Sequence, residues 1–396
     1  MLLRRRTPAA VALAVAAGLL ATPAAATAAP DQELPFPCSQ VWTGTTRANH
    51  SPSSMAIDFN RPNDLGDLTV ASATGVVSRV EDTGSKGYGK WIRVDHPEGY
   101  STVYAHLKAQ WVVPGQFVDQ GSVIGRVGAS GGVTGAHLHY EQRLGRDVVP
   151  AYFHQARFVY GTASASQNCP DVPLAGDWDG NGTDEVGVFR RGPGRASFHL
   201  RAEDGTSTSA LLGRPTDLPV VGDWDGDGRT DVGVRRAGSR IFLLRSGDGT
   251  ITRPRFGLLK DRPVTGDWDG DGTTDVGVWR PATKRFLLRR PDGTRQVVTF
   301  GGWGSQPVTG DWNGDGTTDV GVFDAATATF RLRWTTAEGQ TLFSSVLHGS
   351  GTDLAVTGDW NGDGTTDVGT WTPSTGAFAL RLPTAQTRAV LHGIPR

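Results

Sequence analysis

Asp223-Trp224-Asp225-Gly226-Asp227-Gly228 is one of five near-identical stretches in the second half of this chain. Asp177-Trp178-Asp179-Gly180-Asn181-Gly182 precedes it, and further copies open at Asp267, Asp311 and Asp359. The starting points are 46, 44, 44 and 48 residues apart. A period of that size marks one supersecondary unit packed against copies of itself, because a single unit cannot bury its own apolar face. The third copy shows the unit: strand-like runs at Pro263 to Gly266, Asp275 to Arg280, Lys284 to Arg290 and Arg295 to Phe300, with Pro291-Asp292-Gly293 as a hairpin turn. Four strands per repeat make one blade of a β-propeller. Residues 171–396 therefore read as a propeller of five blades, and the fold class as all-β.

Each loop places oxygen-bearing side chains at positions one, three, five and nine. These are Asp177, Asp179, Asn181 and Glu185; Asp223, Asp225, Asp227 and Asp231; Asp267, Asp269, Asp271 and Asp275; Asp311, Asn313, Asp315 and Asp319; and Asp359, Asn361, Asp363 and Asp367. Together with a backbone carbonyl at position seven, such a set suits a hard cation such as calcium. An EF-hand would need a glutamate at position twelve, where this chain has Val188, Val234, Val278, Val322 and Thr370. The loops resemble the FG-GAP/VCBS repeats of integrin-type propellers, which implies up to five structural calcium ions between strands. The tryptophans that recur in the loops read as blade-core residues.

The opening residues have another character. Arg4 to Arg6, the apolar run Ala9 to Ala21 and Ala26-Thr27-Ala28 fit a signal peptide over residues 1–28. The apolar run is too short to span a membrane. The expected product is exported, extracellular or wall-associated, monomeric and free of the membrane after cleavage. A net charge of -1 over 396 residues argues against a nucleic-acid binder. The two cysteines, Cys38 and Cys169, are expected to pair in an oxidising compartment. The small polar residues from Gly161 read as a short flexible linker, 161–170, after a first domain at 29–160.

That first domain is also β-rich, with strand-like runs at Val76 to Val80, Trp91 to Asp95, Ser101 to Leu107 and His137 to Arg143. Five of the nine histidines lie between positions 50 and 139. His137 and His139 are two apart, so a strand turns both to one face while Leu138 points into a core. Asp58 sits in the apolar run Met55-Ala56-Ile57-Asp58-Phe59 and needs a partner there. Zinc takes histidine nitrogen and carboxylate oxygen, and a catalytic site leaves one position open. The candidates are His50, Asp58, His106, His137 and His139. His96, before Pro97, reads as a turn residue.

The ordered strings His50…Asp58-Phe59, Tyr104-Ala105-His106-Leu107 and His137-Leu138-His139-Tyr140-Glu141 resemble the lysostaphin/LytM-type zinc metallopeptidases over residues 48–150. Gly87-Tyr88-Gly89, Gly115-Gln116, Gly121 and Ile124-Gly125 fit in sequence order. The resemblance implies one zinc ion on His50, Asp58 and His139, with His106 and His137 as unligated catalytic histidines. The closely spaced form of that family puts three residues between its first histidine and the aspartate. Here Ser51 to Ile57 intervene, which leaves Asn49, Asp64 and Asp67 as alternatives to His50. Glu141 shares the strand face of His139 and reads either as a residue that orients it or as a solvated side chain.

The reading is a secreted zinc endopeptidase acting on stem peptides or cross-bridges of peptidoglycan, with the propeller as its wall-targeting arm. The alternative is a non-catalytic wall-binding protein or adhesin with a degenerate peptidase domain. From position 171 the chain carries 25 Lys and Arg against 28 Asp and Glu. Five bound calcium ions would make that half basic and suited to anionic wall polymers.

Overall fold

The structure is a computed structural model and describes residues 31–192 and 194–394. The expected signal peptide lies outside the described residues. Strands dominate, and helix among the described residues is limited to two 3-10 turns, Pro97–Gly99 and Ala325–Thr327. None of these helices is long and apolar enough to cross a membrane.

The first half is built on a nine-stranded antiparallel sheet. Its order in space is Ala163–Ala165, Val41–Thr45, Ile57–Asn60, Leu138–Leu144, Tyr100–Ala105, Lys90–Asp95, Gly75–Asp82 and Phe117–Val118, with Asp147–Val149 added on Leu138–Leu144. Strand alternation sorts the side chains. Ile57, Phe59, Tyr104, Leu138 and Tyr140 enter one core with Phe36 and Trp42, whose rings stack at 3.7 Å. Asp58, His139 and Glu141 take the other face. Burying each such apolar side chain stabilises by about 1.5–3 kcal/mol, so the core fixes the register that aims the polar set.

Residues 161–170 are not a free linker. Ala163–Ala165 pairs with Val41–Thr43 as the edge strand of this sheet. Ser166 Oγ donates to the Phe36 carbonyl at 2.7 Å, and Asn168 Nδ2 donates to Leu34 and Ala71. Small, polar composition suggested flexibility, but an edge strand needs only backbone groups. Cys38 and Cys169 form a disulfide with Cα atoms 5.0 Å apart, closing a separation of 131 residues.

The second half contains five four-stranded antiparallel sheets. They run from Asp171–Gly176 to Ser207–Leu211, Leu218–Gly222 to Ile251–Thr252, Arg262–Gly266 to Arg295–Thr299, Ser305–Gly310 to Thr341–Leu347, and Leu354–Gly358 to Thr387–Leu391. Their first strands neighbour one another in a ring, with Leu354–Gly358 beside Asp171–Gly176. A repeated hydrogen bond ties the sheets. The N–H groups of Asp177, Asp223, Asp267 and Asp311 donate to the hydroxyls of Thr230, Thr274, Thr318 and Thr366 at 2.9–3.0 Å. At the closing junction Asp359 N–H donates instead to Asp184 Oδ2 at 2.8 Å. The loop tryptophans are structural: the indoles of Trp178, Trp224, Trp312 and Trp360 donate to Val186, Val232, Val320 and Val368 carbonyls.

The two halves touch directly, away from the acidic loops. Gly304 N–H donates to the Gly115 carbonyl at 2.8 Å, and Arg262 pairs with Asp119 at 2.9 Å. Two glycines receive two tryptophans reciprocally. A Cβ on Gly115 would lie 2.7 Å from the Trp303 ring, and one on Gly238 would lie 2.6 Å from Trp111.

Candidate active site and cation loops

Register assembles the first cluster. On the central strand His139 lies directly opposite Asp58 on one side and Ala105 on the other. His106 follows Ala105 with φ 61°, which ends the strand and turns the imidazole toward the same face. His50 comes from the loop before Ile57–Asn60. Gly89, with φ +61°, allows the loop around Tyr88 to cross the one around Gly131, where a Cβ would sit 2.4 Å from backbone nitrogen.

Three donor atoms converge. His50 Nε2 is 3.0 Å from Asp58 Oδ1 and 3.2 Å from His139 Nδ1, and His139 Nδ1 is 3.1 Å from Asp58 Oδ1. Ligands about 2 Å from a tetrahedral zinc are separated by about 3.3 Å, so the triangle fits that ion. The remaining ring nitrogens set the tautomers. His50 Nδ1 faces the Ala56 carbonyl at 3.2 Å, and His139 Nε2 faces Glu141 Oε1 at 2.9 Å. Both partners need an N–H, which leaves the two inward nitrogens as lone-pair donors. The alternatives to His50 are placed elsewhere: Asp67 pairs with Arg61 at 2.6 Å, Asn49 is exposed, and Asp64 is absent from the triangle.

Electrostatics match. Burial pushes the Asp58 carboxyl up, but hydrogen bonds from His139 and His50 and the charge of His137 hold it well below the usual carboxylate range. Burial pulls His139 down, and Asp58 and Glu141 more than reverse this. His106 is pushed down to about 4 by burial and by neighbouring His137. Burial also lowers His137, more than facing Asp58 raises it. His106 Nδ1 donates to the Ser130 carbonyl at 2.9 Å and His137 Nδ1 to Gly135 at 3.1 Å. Each is thus held with Nε2 available as a base near neutral pH. Their ring centroids are 4.9 Å apart, and His137 Nε2 is 3.6 Å from Asp58.

Glu141 is not solvated. It is fully buried and joins His139, Arg143 and the Tyr88 hydroxyl. Tyr88 and Arg143 were missed as members of this network. Arg143 follows His139 and Glu141 at the same alternation, which is a readable signal. Tyr88 had only its flanking glycines. His96 is a buried histidine rather than a plain turn residue, held by the Thr74 carbonyl and Thr102 hydroxyl at 2.9 Å each.

The acidic loops share one geometry. In each, the first aspartate accepts two or more backbone N–H groups, as Asp267 does from Gly270 at 2.7 Å and Gly272 at 2.8 Å. Carboxylates cluster within ligand reach in Asp177/Asp179/Glu185, Asp223/Asp225/Asp231 and Asp267/Asp269/Asp271. At position nine Glu185 Oε1, Asp275 Oδ2, Asp319 Oδ2 and Asp367 Oδ2 are buried without a hydrogen-bond partner. Burial, then neighbouring carboxylates, push Glu185, Asp275 and Asp319 up to about 7 and Asp231 and Asp367 up to about 6. Orphaned buried oxygens among like charges are a donor set that a divalent cation fits.

Comparison with known proteins agrees with this division. The profile of Peptidase family M23 matches residues 53–150, and an FG-GAP-like repeat matches residues 267–322. A DD-carboxypeptidase/endopeptidase Mpg of Neisseria meningitidis serogroup B is 43% identical over 95 residues, covering 24% of this chain and 21% of the relative. The peptidoglycan DD-endopeptidase ShyC of Vibrio cholerae is 39% identical over 71 residues, covering 18% and 16%. The chain thus spans about a fifth or less of the length of these relatives. A solved zinc containing peptidase from Vibrio cholerae is 24% identical with TM-score 0.27, covering 33% of this chain and 41% of that one. The chain carries a Peptidase family M23 domain, with an FG-GAP-like repeat in its C-terminal region.

Proposed function

We propose that this protein is an exported zinc endopeptidase that hydrolyses peptide bonds in peptidoglycan stem peptides or cross-bridges. The observation that carries the reading is the triangle of His50 Nε2, Asp58 Oδ1 and His139 Nδ1, with edges of 3.0–3.2 Å and two further imidazoles beside it. A zinc ion held there would supply Lewis-acid polarisation of a peptide carbonyl and activation of water. The chain's own groups do the rest. One of His106 and His137 takes a proton from water at Nε2 and returns it to the leaving amine, and the other stands beside it with ring centroids 4.9 Å apart. Glu141 keeps the His139 ring in the orientation that turns Nδ1 inward.

The relatives named for DD-endopeptidase activity support peptidoglycan as the substrate class. The second half would act as a calcium-loaded arm that holds the enzyme on anionic wall polymer, and the matched acidic loops support that role. The test is mass analysis of fragments released from purified peptidoglycan, with and without zinc chelation. New amino termini that appear only with zinc are the expected result. Zinc-independent release, or release from the His139→Ala protein, would refute the site. Wall binding by His139→Ala should persist, because the arm is separate from the triangle.

A further inference from the structure

The second sheet of the ring is the irregular one. Its outer strand, Ile251–Thr252, has two residues, where the other four outer strands have five or seven. Pro254 lacks an N–H and interrupts the ladder, although its carbonyl still accepts from Phe242 N–H at 2.9 Å and the pairing resumes where Arg255 bridges Ile241. The other four sheets set an aromatic residue of the second strand opposite a Phe of the third: Phe189 and Phe198, Trp279 and Phe286, Phe323 and Phe330, Trp371 and Phe378. In the second sheet Arg235 takes the aromatic position, opposite Phe242.

Between this interrupted edge and the third sheet lies a cavity of about 410 Å³, lined by Arg240, Arg255, Arg280, Arg295, Phe256 and Leu287 among others, and by no acidic side chain. The Arg280 guanidinium is spoken for: Nε and an Nη bind Asp261 at 3.0 and 2.8 Å. Arg240, Arg255 and Arg295 are exposed, and no ion pair among the described residues engages them. Arg295 also stands directly opposite Arg289. Like charges in that position repel, and a bound anion would relieve the repulsion.

We infer that this cavity binds a phosphodiester-linked polymer, with Arg240, Arg255 and Arg295 on successive phosphates and Phe256 and Leu287 against the carbon chain between them. The guanidinium fork matches phosphate geometry in two-point contact. Three uncompensated guanidiniums in one cavity suit a ligand whose charges repeat, which a stem-peptide carboxylate does not offer. The inference rests on the wall-targeting role of the second half and names the polymer class and its site.

The test is calorimetric titration of the full, calcium-loaded chain with a synthetic glycerol-phosphate hexamer, and with a hexaglutamate peptide as the carboxylate arm. Selective binding of the phosphate hexamer is expected. Arg240→Ala/Arg255→Ala/Arg295→Ala should weaken it about tenfold or more. The control Arg146→Ala/Arg195→Ala/Arg388→Ala, with the same change in net charge, should not. All three replaced cavity arginines are exposed, so melting temperature and hydrolysis of soluble muropeptides should stay unchanged. Equal loss in both triple variants, equal binding of hexaglutamate, or no binding of the phosphate hexamer would overturn the assignment. If the phosphate hexamer fails to bind while the chain still binds intact walls, the site falls and wall targeting stands.

Discussion

Asp58 in the first half and Asp275 in the second are both partly buried carboxylates among candidate metal ligands, yet their surroundings act in opposite directions. Asp58 faces imidazoles, which hold it ionised far below the usual range. Asp275 faces Asp269, Asp271 and Asp267, which with burial push it up to about 7. The first site is organised before any ion arrives, because Glu141 and the Ala56 carbonyl already fix the two ring nitrogens. The acidic loops repel themselves, and a bound cation would offset that repulsion. A catalytic centre gains from the first arrangement, since its geometry costs nothing at the moment of reaction. A structural loop can tolerate the second where a bound ion would become part of the fold.

The sharpest way to break this contrast is His106→Ala. Zinc content should stay whole while turnover on soluble muropeptides drops about 10²–10⁴-fold. Lost zinc would instead make His106 a ligand. Glu141→Gln comes next. It keeps the shape but loses the charge on His139, and zinc affinity should fall about 10–100-fold in a metal titration. Unchanged affinity would mean that the buried glutamate serves only packing.

Calcium and pH probe the other half. In zinc-reloaded, calcium-free protein the position-nine carboxylates bind more protons folded than unfolded between about pH 4 and pH 7. Stability should therefore fall as pH rises through that window and level off above it. Calcium should cancel the fall and raise the melting temperature at pH 8 by several degrees. Asp58 has the opposite sign, because its contribution is present above about pH 4 and lost only below. A calcium-free protein that melts higher at pH 8 than at pH 5 would contradict the self-repulsion of the loops.

Asp184→Thr should give the smallest change. It installs at the closing junction the hydroxyl used at the other four. Burial pushes Asp184 up to about 7, so the variant should gain about 1 kcal/mol at pH 8 and less at pH 5. A loss at pH 8 would show that closure requires the carboxylate.

Much of this was legible in the chain because it is local. Alternation along Ile57-Asp58-Phe59 and Leu138-His139-Tyr140 separates core from site with no knowledge of partners. A five-fold repeat announces itself by spacing, as do the oxygens at fixed positions in each loop. His50 was less certain because seven residues separate it from Asp58, and loop length does not reveal where a loop folds back. Glu141 was undecided for a related reason: on a bare strand its side chain is as free to meet water as to meet His139. Tyr88 and Arg143, supplied by other positions, bury it.

The sequence by itself determined an all-β chain, five strand–loop units and the residue types able to hold two kinds of cation. Tertiary structure decided that His50 Nε2, Asp58 Oδ1 and His139 Nδ1 meet within 3.2 Å, that Ala163–Ala165 joins the first sheet, and that Asp184 closes the ring of sheets. It also opened the arginine cavity beside an interrupted strand. Each of these depends on pairings between residues dozens to more than a hundred positions apart. Local patterning selects which face a side chain takes, and only the packed sheets select what it faces.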